Sequence, residues 1–244
     1  MDAQLHLAVD AAAMFRRVGD GVNPSTVSVA LLAELAGADA ISYDIRVGDR
    51  NDTEKDGRLL RDSLTGRLEV VAAAGPDLMD VAFALRPDRL TLAPELRDGG
   101  ASGGIDAHML KDALRRQVLL LKDAGIMVGV RIEPEIEQCK ALHRAEVDVA
   151  VLNCGAYLRA KSSQERTTEF ARVGDAANLA AKLGLRVGVV GDIGLVNVEK
   201  LARIAQIDEF QVGHACIARG ILRGIEQAVG DFSRAVERGR RRSV

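Results

Sequence analysis

The sequence predicts an α/β fold, a single closed (β/α)8 barrel of parallel strands. Eight short β-type runs alternate with helical patterns along the 244 residues. The strand runs are near-continuously apolar, as in VDVAVL, which is how parallel strands buried on both faces read. Eight βα units in a chain of this length match a closed barrel. A doubly wound open sheet is the competing architecture, but AVDAAAMFRR after the first strand lacks the GxGxxG fingerprint of a dinucleotide fold.

In chain order the predicted strands are LHLAV (5–9), AISYDI (40–45), LEVVA (68–72), RLTLA (89–93), IMVGVRI (126–132), VDVAVL (147–152), RVGVV (186–190) and EFQVG (209–213). Between them PSTVSVALLAELAG, PDLMDVAFALR, IDAHMLKDALRRQVLLLKDAG, QERTTEFARVGDAANLAAKLG and VNVEKLARIA carry apolar residues at three- and four-residue spacing, so they predict helices. In the fourth of these, Phe170, Val173, Ala177 and Ala180 mark one face. Gly37, Gly125 and Gly184 each close a helical run ahead of a strand, where glycine takes the left-handed conformation at little steric cost. PELRDGGASGG (94–104) is the most turn-rich loop and follows the fourth strand. No linker or low-complexity segment divides residues 1–244, which predicts one domain; the Arg-rich end, 238–244, predicts a flexible basic tail on a solvated helix end.

The net charge of −2 offers no broad attraction for nucleic acid or an anionic membrane, so an anionic partner needs a local site and small metabolites suit the chain best. Cys139, Cys154 and Cys216 are three widely spaced cysteines with no CxxC pair, which argues against a disulfide framework or structural zinc and predicts a reducing cytoplasm. Neither a secretory signal nor a membrane-length apolar run is expected.

A barrel puts its chemistry at the C-terminal ends of its strands. That selects Asp10, Asp44 with Arg46, Glu69 or Val71, Glu95, Arg131 with Glu133, Asn153 with Cys154, Asp192, and Gly213 with His214. Each also has a structural reading: Asp192 as a helix N-cap, Cys154 as a small buried filler, Arg50 as a solvated surface group. Arg46 and Arg50 are forked, permanently charged groups able to reach a phosphate. In FQVGHACIARGI, Gly213 permits close backbone approach and the helix start after it presents N–H groups to an anion. Asp10, Asp44 and Asp192 would bring three carboxylates to the mouth, either as an acid/base set or as ligands of a divalent cation.

These residues resemble the pyridoxine 5'-phosphate synthase family of vitamin B6 biosynthesis. The resemblance is carried by AELAGADAIS (33–42), Arg46, Pro94-Glu95, GGID (103–106), LKDAGIMVGVRIEPEIEQ (121–138), CGAY (154–157), AANLAAKLGLRV (176–187) and VGHACIARGI (212–221), in the family's order and spacing. It implies a (β/α)8 barrel assembled as a homo-oligomer, typically an octamer. It also implies condensation of 1-deoxy-D-xylulose 5-phosphate with 3-amino-2-oxopropyl phosphate and closure of the pyridine ring, with no required cofactor.

The match breaks down where that chemistry lies. The family's Asn-x-Asp-His on the first strand reads here as AVDA, which keeps Asp10 and places Ala8 and Ala11 at the polar positions. The second-strand catalytic His corresponds to Asp44; the phosphate-binding Arg is kept as Arg46, and the His after it corresponds to Asn51. The third-strand Glu aligns with Val71, with Glu69 two residues earlier, and the sixth-strand Glu with Val151. His-Thr-Gly becomes Asn153-Cys154-Gly155, and the proton-donating His falls at Gly191 or Asp192. Gly213 and His214 match directly.

General acids and bases contribute about 10²- to 10⁴-fold each, so a chain lacking several needs substitutes or a different reaction. The resemblance therefore implies Asp44 as base, Asp192 as acid, Asp10 as positioner, and Arg46, Asn51, Gly213 and His214 as phosphate holders. Glu69, Asn153 and Cys154 are further candidates. The reading from a different class is a non-catalytic barrel that binds a phosphorylated metabolite or pyridoxine phosphate.

Overall fold

The computed structural model describes residues 3–18, 24–45, 50–75, 77–95 and 103–243, with no side-chain description at 16–18 and 50–52. Eight strands, β1 (Gln4–Ala8), β2 (Ala40–Asp44), β3 (Arg67–Ala73), β4 (Arg89–Ala93), β5 (Met127–Ile132), β6 (Val149–Asn153), β7 (Arg186–Val190) and β8 (Glu209–Val212), form one closed barrel in sequence order. Every neighbouring pair is parallel, and β8 closes onto β1 with Gln4 opposite Glu209 and Leu7 opposite Val212.

The helices are α1 (Asp10–Val18), α2 (Thr26–Leu35), α3 (Arg50–Ser63), α4 (Leu78–Leu85), α5 (Lys111–Asp123), α6 (Ile136–Arg144), α7 (Gly155–Arg159), α8 (Ser163–Lys182), α9 (Leu195–Leu201), α10 (His214–Arg223) and α11 (Ile225–Arg241). In α8 the buried face is Val173, Ala176, Ala177 and Ala180, with Phe170 packed against the core, close to the predicted stripe. Gly37, Gly125 and Gly184 follow their helices with φ of 93°, 77° and 83°. No helix among the described residues is long and apolar enough to cross a membrane.

Alternation along each strand separates two cores. Leu5 and Leu7, Ile41 and Tyr43, Leu68 and Val70, Leu90 and Leu92, Val187 and Val189, and Phe210 and Val212 are buried in the main apolar cluster between strands and helices. The opposite parity fills the barrel and is largely polar: His6, Ser42, Glu69, Arg89, Thr91, Arg131, Asn153, Glu209 and Gln211 are all buried. At the N-terminal end Arg89 donates to Glu69 (2.6 Å) and pairs with Glu209, which also meets Arg186 at 2.8 Å. The Thr91 hydroxyl donates to Glu69 (2.6 Å), and the His6 ring lies 3.2 Å from Arg89 and 3.4 Å from Glu69. This network forms the floor. Gly129 leaves room for it, since a Cβ there would stand 2.6 Å from Thr91 Oγ1.

A fourfold repeat fastens the floor from outside. Asp39, Asp88, Asp148 and Asp208 immediately precede the even strands. Their carboxylates accept the backbone N–H of Leu5, Leu68, Val128 and Val187 on the preceding odd strand, at 2.8, 2.8, 2.8 and 3.0 Å. Their own N–H groups donate back to the carbonyls of the same four residues. Each pair of strands is thus clamped in register by one carboxylate.

The basic end is held over the described residues 238–243, where the sequence predicts a flexible tail over 238–244; residue 244 lies outside the described residues. α11 continues to Arg241, Arg238 and Arg242 bond Glu199, and Arg240 donates to the carbonyls of Ala202 and Ile204. Gly239 lets α11 pass this closely, because a Cβ there would lie 2.3 Å from the Glu199 carbonyl oxygen.

Candidate active site

A cavity of about 460 Å³ opens at the C-terminal mouth of the barrel. Its lining includes Ala8 at the end of β1 and Asp10 after it, Asp44 on β2, Arg131 on β5, Asn153, Gly155 and Arg159 from β6 and α7, Gly191 and Asp192 after β7, and Gln211 on β8 with Gly213 after it. Three carboxylates expected at the mouth therefore share one cavity with Gly213. Among the described residues no group of three or more His, Cys, Asp or Glu side chains is placed to hold a metal ion.

Asp10 opens α1, and its Oδ1 accepts the backbone N–H of Asp44 at 2.8 Å, tying the mouth ends of β1 and β2 together. Asp192 is not a helix cap: α9 begins at Leu195 with Gly194 in the capping position. The Asp192 carboxylate stays largely exposed, with Oδ1 3.6 Å from Nδ1 of the equally exposed His214. Gly191 before it has φ of 146°, and a Cβ would stand 2.9 Å from Leu158 Cδ1, so only glycine makes this turn without strain.

Gly213 is the residue before α10, and its carbonyl accepts from the amides of Cys216 and Ile217 at 2.9 and 3.0 Å. The amides of His214 and Ala215 come before that first internal bond and face outward at the positive end of the helix. A Cβ on Gly213 would meet Ala8 Cβ at 3.3 Å and Ala8 O at 3.5 Å, so the bare backbone is what lets β8 lie close to β1 here.

Asn153 is a brace. Its Nδ2 donates to Glu133 Oε1 (2.7 Å) and its Oδ1 accepts the Gly155 N–H (3.1 Å), while Glu133 Oε1 also accepts the N–H of Gly104 (2.8 Å). Cys154 is fully buried; burial, with the Glu133 charge adding to it, pushes its thiol up to about 12, and the thiol faces the Leu152 carbonyl at 3.8 Å. That is the environment of a filler rather than of a nucleophile. Glu69 is not at the mouth but in the floor network.

Val71 and Val151 are buried at the positions where the resemblance expects carboxylates. Arg46 lies outside the described residues, and Asn51 falls in the first turn of α3 with its side chain outside the description. Two further groups stand in the cup. Gln211 on β8 donates to Ser42 Oγ on β2 at 2.7 Å, spanning β1 between them. Arg159 rests on Gly155, where a Cβ would come within 2.8 Å of its Nη1. Arg159 was open to sequence reasoning only as a residue four places after a glycine on one helix face.

Fold and site together define a (β/α)8 barrel with a cavity lined by charged groups at its C-terminal mouth. The chain belongs to the family described as pyridoxal phosphate biosynthesis protein PdxJ, whose model matches residues 5–238. It is 34% identical over 231 residues to a pyridoxine 5'-phosphate synthase of Geotalea daltonii, covering 94% of this chain and 97% of that protein. A pyridoxine 5'-phosphate synthase of Desulforapulum autotrophicum is 35% identical over the same length and shares. Among solved structures, phosphoribosylanthranilate isomerase from Thermotoga maritima matches with a TM-score of 0.62 at 11% identity, over 96% of this chain and 98% of that one. KGPDC from Streptococcus mutans matches at 0.61 and 16%, over 98% and 99%. These two likenesses speak to the fold alone.

Proposed function

We propose that this chain is a pyridoxine 5'-phosphate synthase-type enzyme that binds a phosphorylated small metabolite at the barrel mouth and carries out a reaction diverged from the ring closure named for its relatives. The observation that carries this reading is that Asp10, Asp44, Asp192 and Gly213 line one cavity. The phosphate is held by the α10 start at Gly213 and His214, with Arg46 and Asn51 as the further phosphate holders that the family resemblance implies. Asp44, at the site of a family base, removes a proton. Asp192, beside His214, returns one, and Asp10 positions the Asp44 backbone. The mode of divergence is supported by the valines at 71 and 151, which cannot transfer protons. We read the active form as a homo-oligomer, an octamer by family resemblance, working in the cytoplasm without a required cofactor.

A binding-only barrel is favoured by one observation, the engagement of the Asp10 carboxylate by the Asp44 amide. Purified protein incubated with 1-deoxy-D-xylulose 5-phosphate and 3-amino-2-oxopropyl phosphate separates the cases. The diverged reading expects pyridoxine 5'-phosphate and released phosphate at background level, together with saturable binding of phosphate esters that His214→Ala weakens. Turnover at a rate typical of enzymes, about 1 s⁻¹ or faster, would overturn the divergence. Binding unaffected by His214→Ala would remove the phosphate assignment.

A further inference from the structure

Gln211 is fixed at one end and open at the other. It stands on β8, is 6% exposed and lines the mouth cavity. Its Nε2 donates to the Oγ of the fully buried Ser42 at 2.7 Å. The strand between them, β1, carries Ala8 in register with Ser42, and that small side chain leaves room for the amide to reach over it. Among the described residues no group donates to the Gln211 Oε1, and that oxygen is not sealed from solvent, so it opens on the cavity. A structural strut is bonded at both ends. Here one end is bonded and the other presents an acceptor in a fixed direction to whatever fills the cavity.

The surroundings select the group that meets it. Asp10 and Asp44, from the two strands next to β8 on this side, line the same cavity. A carbonyl beside two carboxylates receives a hydrogen-bond donor and not a further anionic group. Gln211 precedes Gly213 by two residues, about 7 Å of extended chain, so two or three carbons span from a phosphate at Gly213 to this oxygen.

We infer that Gln211 is a specificity-determining residue whose carbonyl accepts a hydrogen bond from a hydroxyl on the carbon chain of the substrate, which makes the substrate a hydroxylated phosphate ester. This rests on the phosphate assignment proposed above. Ser42 is the positioning residue, because it holds the amide nitrogen and so turns the carbonyl to the cavity.

A matched pair of probes tests this by calorimetry on the purified full chain: glycerol 3-phosphate, and propyl phosphate, which has the same three carbons and phosphate without the hydroxyls. Wild type is expected to bind glycerol 3-phosphate about three- to tenfold more tightly, the range of one net hydrogen bond. Gln211→Met keeps the length of the side chain and removes the acceptor; it should bring the ratio to about one and leave propyl phosphate binding within about twofold. Ser42→Ala frees the amide to turn and should also lower the ratio. A merely structural loss weakens both probes alike and leaves the ratio where it was. Because Ser42→Ala removes a single oxygen, it keeps the test alive if Gln211→Met does not fold.

Equal affinity for the two probes in wild type, or a ratio unchanged in every variant that folds, overturns the role of Gln211 and leaves the phosphate anchor standing. A ratio lowered by Gln211→Met but not by Ser42→Ala keeps the hydroxyl contact and overturns the positioning by Ser42. A ratio lowered by Gln211→Met, with no effect of His214→Ala on either probe, keeps the contact and overturns the anchor instead. Failure of wild type to bind either probe overturns both.

Discussion

At the scale of single residues, burial decides chemistry more firmly than residue type. Cys139, Cys154 and Cys216 are all buried, and burial pushes their thiols up to about 11, 12 and 12. A thiol that stays protonated is neither a nucleophile nor an easily oxidised group. Native protein near pH 8 is therefore expected to leave all three unreacted with a chromogenic disulfide reagent, against three equivalents in denaturant; rapid native labelling at Cys154 would return it to the list of candidate nucleophiles. Sequence alone left Cys154 open between filler and nucleophile because no spacing rule reports depth. Asp192 was open in the same way, and its exposure beside His214 resolves the capping alternative.

At the scale of elements, apolar spacing made several helices legible whether or not glycine closed them. α4 is one, although the left-handed turn after it is made by Arg86 at φ of 43°. α6, followed by Glu146 at φ of 62°, offered neither a closing glycine nor a named apolar stripe and is not among the predicted helices. The four Asp clamps were also hidden: Asp88, Asp148 and Asp208 recur at a spacing of 60, but Asp39 precedes Asp88 by 49, and a lone Asp before a strand does not by itself announce a bond to the neighbouring strand. Each clamp carboxylate holds a strand amide, so Asp148→Ala should cost about 1.5–3 kcal/mol in urea unfolding, the range for a hydrogen bond to a charged group. Asp123→Ala, on the exposed face of α5, is the control and should stay within about 0.5 kcal/mol. Equal midpoints for the two variants would remove the clamp's role in stability.

At the scale of the whole molecule, the barrel has a polar interior sealed at one end and open at the other. Burial by itself would raise the Glu69 carboxyl, but Arg89 and His6 outweigh it and hold it far below the usual carboxylate value of 4.5. A folded-state value below the unfolded one means that the ionised group stabilises the fold fully above about pH 4.5, and that this contribution drains away as pH falls towards the depressed value. Wild-type stability is thus expected to fall more steeply than that of Glu69→Gln below about pH 4.5, while Glu69 adds no slope between about pH 6 and 8. At neutral pH the same replacement takes from Arg89 one of its two carboxylate partners and leaves Glu209, and should cost about 1.5–3 kcal/mol, the range for a hydrogen bond to a charged group. Parallel denaturant titrations across this range measure both effects; superimposable acid limbs would show that the floor does not depend on the Glu69 charge.

The order of elements, the parallel barrel, the family, and the arrival of Asp10, Asp44, Asp192 and Gly213 at strand ends could all be read from the chain, because they depend on local periodicity and on connections that run strand, helix, strand. The polar parity inside the barrel, the descent of Glu69 into the floor and the inert depth of Cys154 could not. Those properties arise when β8 closes on β1, which brings residues far apart in sequence within bonding distance, as with Arg89 and Glu209 or Gln211 and Ser42. Closure also gives every inward-facing side chain a height above the floor, and that height separates a buried strut from a group a ligand can reach.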